Sequence, residues 1–447
     1  MEQKPMTLVT EILPARLEEL RNYLLTIGND IKGNNSIQFS AYSNLHYCCL
    51  IIIEDEHPPV GSIPAKPILV FEANIDGTTQ DFLNDLFSKN PAFMHKIYAC
   101  CLDYSDDSQV LSAKLQQTDL GANAFYIAHP GQTRQIIEYQ SKLRATIEDF
   151  IDANRPELIK LQPSDIKQKI YAYLTSQDAE FVNKKPAEPA FIIKNGARIF
   201  DAIKLLAQVI VVAIVFSALG WLGGGMTQVL AFAIIGLIIF YLAAIRWLES
   251  HDIQDERLHW ESNYIKGLQD VEDRQPQNHL SSIIYVKPGK IRLFTLKLVL
   301  FLINVIAKLV ATQGNLSGIV TIHFARWIVL PAKTNERTRL LFFSNYDGSW
   351  ENYLGEFIDH ASVGLTAVWS NTESGTNRGF PDTQWLALKG GARDEQRFKA
   401  FARNSQRREL IWYSAYADLS VKNIGNNQKI HDGLFSDTEI SSWLKRL

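Results

Sequence analysis

The chain is 447 residues long but has only four cysteines, in two adjacent pairs, Cys48–Cys49 and Cys100–Cys101. Neither pair has the Cys-x-x-Cys spacing of a zinc site or a thioredoxin-like redox site. Neighbouring strand residues point to opposite faces, so each pair is expected to place one reduced thiol on either side of a sheet. Charge of one sign is also missing: 45 Lys and Arg face 48 Asp and Glu, a formal net charge of −3. That balance gives no electrostatic case for nucleic acid as a partner. Dinucleotide, P-loop, serine-hydrolase and zinc-protease motifs are all absent, which removes motif support for those chemistries. The N-terminal MEQKPMTLVTEI lacks a basic segment followed by an apolar run, so no cleaved leader is expected.

Charge is missing most completely from two neighbouring runs, residues 205–222 (LLAQVIVVAIVFSALGWL) and 229–245 (VLAFAIIGLIIFYLAAI), joined by GGGMTQ. At about 1.5 Å per residue each is just long enough for the hydrocarbon core of a bilayer. The pair is read as a transmembrane hairpin. Lys194, Arg198 and Lys204 precede it and Arg246 follows it, which places both ends on the cytoplasmic side of the inner membrane. A third apolar run, 293–310, is interrupted by Lys297, Asn304 and Lys308. It is expected to lie on the membrane surface or under the hairpin.

The two flanks of the hairpin are duplicated. PILVFEANIDGTTQDFL (67–83) matches TRLLFFSNYDGSWENYL (338–354), each an apolar strand, then Asn-x-Asp-Gly-Ser/Thr, then a helix. Asn74 matches Asn345, Asp76 matches Asp347 and Gly77 matches Gly348. Upstream, NLHYCCLIII pairs with TIHFARWIVL, aligning His46 with His323. Earlier still, MTLVTEI pairs with SSIIYVK, and each is followed by a helix. Downstream, HKIYACCLDY pairs with VGLTAVWSNT, and AFYIAHPGQTRQII with LIWYSAYADLSVKNI, aligning Tyr126 with Tyr413. Each copy therefore reads strand–helix–strand–strand–helix–strand plus one added strand, the α+β order of a ferredoxin-like unit. The strands are apolar on both faces, so the two sheets are expected to pack face to face as a pseudo-dimeric barrel. The domain reading is a first repeat over 1–150, a linker with helices over 151–200 and the hairpin over 201–248. A charged connecting helix then covers 249–280, and a second repeat 281–447.

Chemistry-bearing residues concentrate in the second copy. Asp347 sits at a strand end before a helix, where it serves either as a turn-and-cap device or as an exposed carboxylate for acid–base work. His323 is in a strand, Arg326 is on the opposite face of it, and His360 ends the motif helix. Asn345, Trp350, Asn371, Tyr413, Lys422 and Asn423 are candidate ligand-binding residues, with 371–383 long enough for a ligand loop.

The strings IHFARWIVL, RLLFFSNYDGSWENYLGEFID, GLTAVWSNT and WYSAYADLSVKNI resemble a bacterial membrane-anchored family grouped near the dimeric α+β barrel superfamily. That superfamily holds the dye-decolorising haem peroxidases and the chlorite dismutase-like proteins. The resemblance implies a distal Asp in a Gly-x-x-Asp-Gly motif, an Arg and a proximal His around haem. Asp347, Arg326 and His323 or His360 are the matching candidates, with Ser344 in place of the leading Gly. Two readings follow. One is a membrane-anchored protein that binds an apolar, lipid-like or quinone-like molecule between or beside its sheets. The other is a haem-dependent peroxidase or oxidase of a membrane-soluble substrate. A non-catalytic scaffold is a third.

Overall fold

The computed structural model describes residues 2–55, 63–177, 226–252, 262–270, 272, 275–309, 314–316, 318–332, 336–374, 379–436 and 439–447. Up to residue 177 the elements are β1 (Gln3–Glu11), α1 (Leu17–Asn29), β2 (Leu45–Ile53), β3 (Ile68–Asp76), α2 (Thr79–Lys89), α3 (Pro91–Tyr98), α4 (Ser108–Gln117), β4 (Ala124–Ile127), α5 (Arg134–Leu158) and α6 (Pro163–Gln177). There follow α7 (Met226–Ser250), α8 (Ser262–Gln269), β5 (Gln277–Tyr285), α9 (Lys290–Leu309), β6 (Ile322–Leu330), β7 (Arg339–Asp347) and α10 (Trp350–Trp369). The chain ends with β8 (Thr383–Gln384), β9 (Lys389–Gly390), α11 (Glu395–Ser405), β10 (Gln406–Arg407), β11 (Ile411–Ser414), α12 (Val421–Leu434) and α13 (Ile440–Leu444).

The strands form two main sheets, in the orders β1-β3-β2-β11 and β10-β5-β7-β6-β4. All named pairings are antiparallel. The repeat pattern assigns one added strand to each half, but the structure exchanges them. β4, from the first half, pairs with β6, and β11, from the second, pairs with β2. The registers correspond: Tyr126 lies opposite Ala325 as Tyr413 lies opposite Cys48.

Every residue of β2 and β3 is buried, as continuous apolar strands covered on both faces must be. Between the sheets, Cys49, Ile51, Ile53, Ile68 and Val70 meet Ile283, Ile328, Leu330, Leu341 and Phe343, so the sheets pack face to face as expected. Helices α1 to α4 cover the outer face of the first sheet. Helices α9 to α11 cover that of the second. A third helical layer joins α5, α6, α12 and α13 around Leu143, Ile170, Ile430 and Trp443. Cys48 and Cys49 do point to opposite faces, one into the first core and one between the sheets.

Three expectations need correction. HKIYACCLDY and VGLTAVWSNT are not strands: the first is the end of α3 and a turn, the second lies in α10 and the turn after it. A short apolar run cannot distinguish a buried helix from a buried strand by periodicity. The strand place beside β1 is taken by single bridges at Leu8–Asp119 and Ile12–Cys101, and beside β5 by the two-residue β10. The 249–280 segment is not one helix, because α8 is short and β5 already begins at Gln277. Gln277 stands opposite Asp347 as Gln3 stands opposite Asp76, so Met6 is level with Leu280 rather than Ser281. The 151–200 segment, read as a linker with helices, holds the end of α5 and then α6, with a turn between them, among the described residues up to Gln177.

Of the two apolar runs, residues 205–222 lie outside the described residues. The second is α7, the one helix among the described residues long and apolar enough to cross a membrane. Its Phe232–Ser250 stretch has a mean hydropathy of 1.9 and is 6% buried. Phe232, Leu237, Ile239 and Phe240 are exposed on it. Its neighbour α9 buries Leu296 and Leu300 but leaves Phe294, Leu298, Phe301 and Leu302 exposed, and the Tyr241 and Thr295 hydroxyls join the two helices at 2.7 Å.

Candidate functional site

The duplicated Asn-x-Asp-Gly-Ser/Thr turns lie at one end of the sheet pair. Gly77 (φ 100°) and Gly348 (φ 78°) take the left-handed conformation that ends each strand. Thr78 and Ser349 cap the following helices by accepting from the Asp81 and Asn352 amides. The Ser/Thr residue therefore does the capping and the Asp is free for another partner. A register shift in the adjacent strand supplies that partner. Both β2 and β6 are irregular at the residue before Tyr47 and Phe324, which are His46 and His323. The shift turns each imidazole toward its carboxylate: His46 Nε2 lies 3.0 Å from Asp76 Oδ1, and His323 Nε2 lies 2.7 Å from Asp347 Oδ1.

The second oxygen of each carboxylate holds a helix that follows an exchanged strand. Asp76 Oδ2 accepts from the Arg134 amide (2.8 Å) at the start of α5, and Asp347 Oδ2 from the Val421 amide (2.7 Å) at the start of α12. A carboxylate at a helix N-terminus is favoured by the backbone donors and by the dipole. Each Asp thus ties a sheet, a histidine and a crossing helix together, twice, in matching positions.

Around the pairs the packing is aromatic and closed. His46 is fully buried, and its Nδ1 lies 2.8 Å from the Tyr416 hydroxyl. Every donor is satisfied when His46 Nε2–H donates to Asp76 and Tyr416 O–H donates to Nδ1. Burial pushes the Tyr47 and Tyr416 hydroxyls well above the usual phenol range, so both stay protonated. Gln277 accepts from Tyr47 (3.2 Å) and Ser414 (2.6 Å) and donates to the Leu419 carbonyl (2.6 Å). His129, beside the start of α12, donates from Nε2 to the Val421 carbonyl (2.9 Å), and burial lowers its pKa to about 4.

These histidines do not fit an axial haem ligand. An axial imidazole needs a nitrogen directed at open space. Both nitrogens of His46 are engaged, and His323 Nε2 is held by Asp347 in a ring of aromatic contacts with Tyr47 and Tyr416. His360 does not end its helix, which continues to Trp369; it is exposed and packs against the loop at Gly318. Among the described residues there is no group of three or more metal-ligating side chains.

Arg326 lies elsewhere, crossing the space between the sheets. It donates to the Met6 (2.7 Å) and Ala73 (2.9 Å) carbonyls and pairs with Glu72 at 2.7 Å, both side chains 1% exposed. Burial raises the Glu72 carboxyl, and Arg326 opposes that shift. Nearby, Asn345 Oδ1 accepts from the Trp412 indole (3.1 Å) and from His279 Nδ1 (3.0 Å), where burial lowers the imidazole to about 4.

The remaining candidates do not join the Asp347–His323 pair. Trp350 is buried in the outer core of the second sheet, under the Arg403 guanidinium at 3.8 Å. Tyr413 faces the outer core of the first sheet, stacked on Phe39. Asn371 is buried just past the end of α10, and its carbonyl accepts from the Lys287 amide. Lys422 and Asn423 are exposed in the first turn of α12, where the Asn423 amide is capped by Ser420.

At the opposite end, where Glu11 faces Ile68 and Tyr285 faces Arg339, the sheets part around a cleft of about 390 Å3. Val9, Ile68, Leu115 and Leu330 form part of its apolar wall. Glu11, Lys66, Asp103, Lys114, Glu336 and Arg339 provide equal numbers of acidic and basic groups around it. Tyr98 also lines it; its hydroxyl is buried without a hydrogen-bond partner among the described residues, and burial raises its pKa well above the phenol range. Sequence reasoning missed this cleft because its walls come from six separated segments, none carrying a motif. Comparison of the chain with protein-family models, curated proteins and solved structures finds no match.

Proposed function

We propose that this is a membrane-anchored protein whose cleft takes an amphipathic, mostly apolar small molecule of lipid-like or quinone-like kind. In this reading the two halves are tandem ferredoxin-like units forming a pseudo-dimeric barrel. The order β10-β5-β7-β6 supports that reading of the second half. The hairpin of 205–222 and α7 anchors the barrel, and the basic flanks place both halves on the cytoplasmic side. The exposed apolar faces of α7 and α9 support the membrane assignment.

The observation that carries the ligand reading is the position of the cleft. Both sheets wall it, and it opens at the end of the second sheet to which the base of α7 is tied. Two residues past Tyr285, Lys287 binds Asp252, just beyond α7, at 2.6 Å. In this reading the cleft and the foot of α7 share one end of the second sheet. The apolar wall suits an alkyl or isoprenoid body. The mixed basic and acidic side chains around it suit a polar head that is neutral, zwitterionic or singly charged.

The test uses the full chain in detergent. Palmitate and decyl-ubiquinone are added separately and unfolding is followed by intrinsic fluorescence. At least one should raise the midpoint, and Leu120→Trp or Leu102→Trp, which narrow the cleft from half-exposed positions, should abolish the rise. No shift with either probe, or equal shifts in the variants, contradicts the reading. Recovery of the chain in the supernatant after a carbonate wash of membranes contradicts the anchoring.

A further inference from the structure

The base of α7 carries a second, differently built feature. Lys287 and Arg292 flank the turn that starts α9, in the sequence Lys-Pro-Gly-Lys-Ile-Arg. Gly289 (φ 105°) makes that turn, and α9 then begins with no acidic residue in its first turn. Its first amides point out of the helix without intrahelical acceptors, and the dipole adds positive potential. Arg292 is 1% exposed and Lys287 8%. Both bind one carboxylate, Asp252: Lys287 Nζ at 2.6 Å and Arg292 Nη2 at 2.8 Å. Two buried cations share one anion, and the guanidinium is only partly used. Arg292 Nε and Nη1 are buried with no hydrogen-bond partner among the described residues. A buried, half-satisfied guanidinium is costly unless something else completes it. Burial, and then Arg292, lower Lys287 to about 8, against the opposing pull of Asp252. Asp252 also lines an open cleft of about 450 Å3 shared with Arg246, Lys389, Glu249 and Asp382. Of the two other acids lining it, Glu249 accepts from the Trp385 (2.8 Å) and Leu386 (2.7 Å) amides, and Asp382 pairs with Arg397 at 3.8 Å.

We infer that Arg292, Lys287 and the start of α9 form a binding site for a phosphate group, supplied by an anionic phospholipid at the foot of the apolar helix. The lipid source rests on the proposed membrane anchoring; the phosphate chemistry does not. Phosphate matches what the site offers, which is unused guanidinium donors, an ammonium and a helix N-terminus. Trp247, 60% exposed on the last turn of α7, is the kind of side chain that sits at headgroup depth.

The full chain in a neutral detergent is titrated with phosphatidylglycerol, with phosphatidylcholine and with inorganic phosphate, and the unfolding midpoint is read. Phosphatidylglycerol should raise it several-fold more than phosphatidylcholine at equal mole fraction, and Arg292→Met should remove the difference. Lys290→Gln, at an exposed position, should weaken the response at least two-fold and serves if Arg292→Met does not fold. A response to inorganic phosphate equal to that of phosphatidylglycerol supports the site but assigns it to a soluble phosphate. Equal responses to both lipids with none to phosphate overturn it, as does a phosphatidylglycerol response unchanged in both variants. A chain that leaves membranes in a carbonate wash yet answers inorganic phosphate in an Arg292-dependent way refutes the anchoring and leaves the phosphate site standing.

Discussion

Replacing Arg326 by Met tests whether this residue, a candidate for catalysis in the sequence, is a structural tie between the sheets. The substitution keeps an unbranched apolar stem and removes the guanidinium. Glu72 then keeps only the Asn74 amide at 3.1 Å, since its Oε2 has no partner among the described residues. Removing one member of a buried ion pair costs about 3–5 kcal/mol, because the remaining charge is stranded. The loss of Arg326 donation to the Met6 and Ala73 carbonyls acts in the same direction. Glu72→Leu alone should cost a similar amount by stranding Arg326. The double variant removes both charges and should fall within about 2 kcal/mol of the wild type. Sign matters for pH. Burial already raises Glu72, and losing Arg326 raises it further, so the folded variant holds a proton that the unfolded chain releases near the ordinary carboxylate range. The Arg326→Met chain should therefore gain stability relative to wild type as pH falls toward that range. Urea unfolding in detergent, followed by tryptophan fluorescence at several pH values, gives all four corners of the cycle. A single-variant loss below about 1 kcal/mol, or a double-variant loss equal to the sum of the singles, would refute the reasoning.

Further outcomes follow from the matched turns and the buried histidines. Asp347→Ala and Asp76→Ala should each cost roughly 1.5–3 kcal/mol, the value of hydrogen bonds to a charged group. Ser349→Ala, which removes only a cap, should cost about 1 kcal/mol; equal losses for Asp347 and Ser349 in urea unfolding would remove the distinction between them. His129 and His279 are each lowered to about 4, so they stay neutral in the fold while the unfolded chain takes up protons below about 6.5. Their contribution is complete above that pH and is lost progressively between about 6.5 and 4, roughly 3 kcal/mol apiece. His129→Gln and His279→Gln should flatten the fall of the urea midpoint across that window, and unchanged slopes would contradict it. Gly28→Ala should cost about 1–3 kcal/mol by equilibrium unfolding, because a Cβ there would lie 1.8 Å from the Leu410 carbonyl leading into β11.

Much of the architecture was legible because the duplication is written in turn chemistry. Asn-x-Asp-Gly-Ser/Thr fixes a strand end, a left-handed Gly and a helix cap, and its double occurrence aligns His46 with His323. The continuous apolar strands implied burial on both faces, and the face-to-face sheets follow. What the pattern could not carry was partner choice. Strand exchange leaves the order of elements unchanged, so AFYI and IWYS read the same whether they pair at home or across. Short apolar runs such as HKIYACC carry no period that separates helix from strand. The His–Asp pairing depends on a one-residue register shift, which is a property of two strands together. In the turn-and-cap device Ser349 caps α10, and Asp347 is left to hold the start of α12 and to face His323. Trp350, Tyr413 and Lys422 were singled out for chemical type, and their faces were decided by packing the sequence does not show.

The proposed ligand is a small amphipathic molecule in the cleft where the sheets part near Arg339. Native mass spectrometry of the full chain released from detergent tests it most directly. The expected result is a discrete adduct of a few hundred daltons on the wild type, lost in Leu120→Trp and identified after organic extraction as an isoprenoid or acyl compound. A bare chain after purification from membranes and incubation with palmitate and decyl-ubiquinone, or an adduct retained equally by Leu120→Trp, would contradict it.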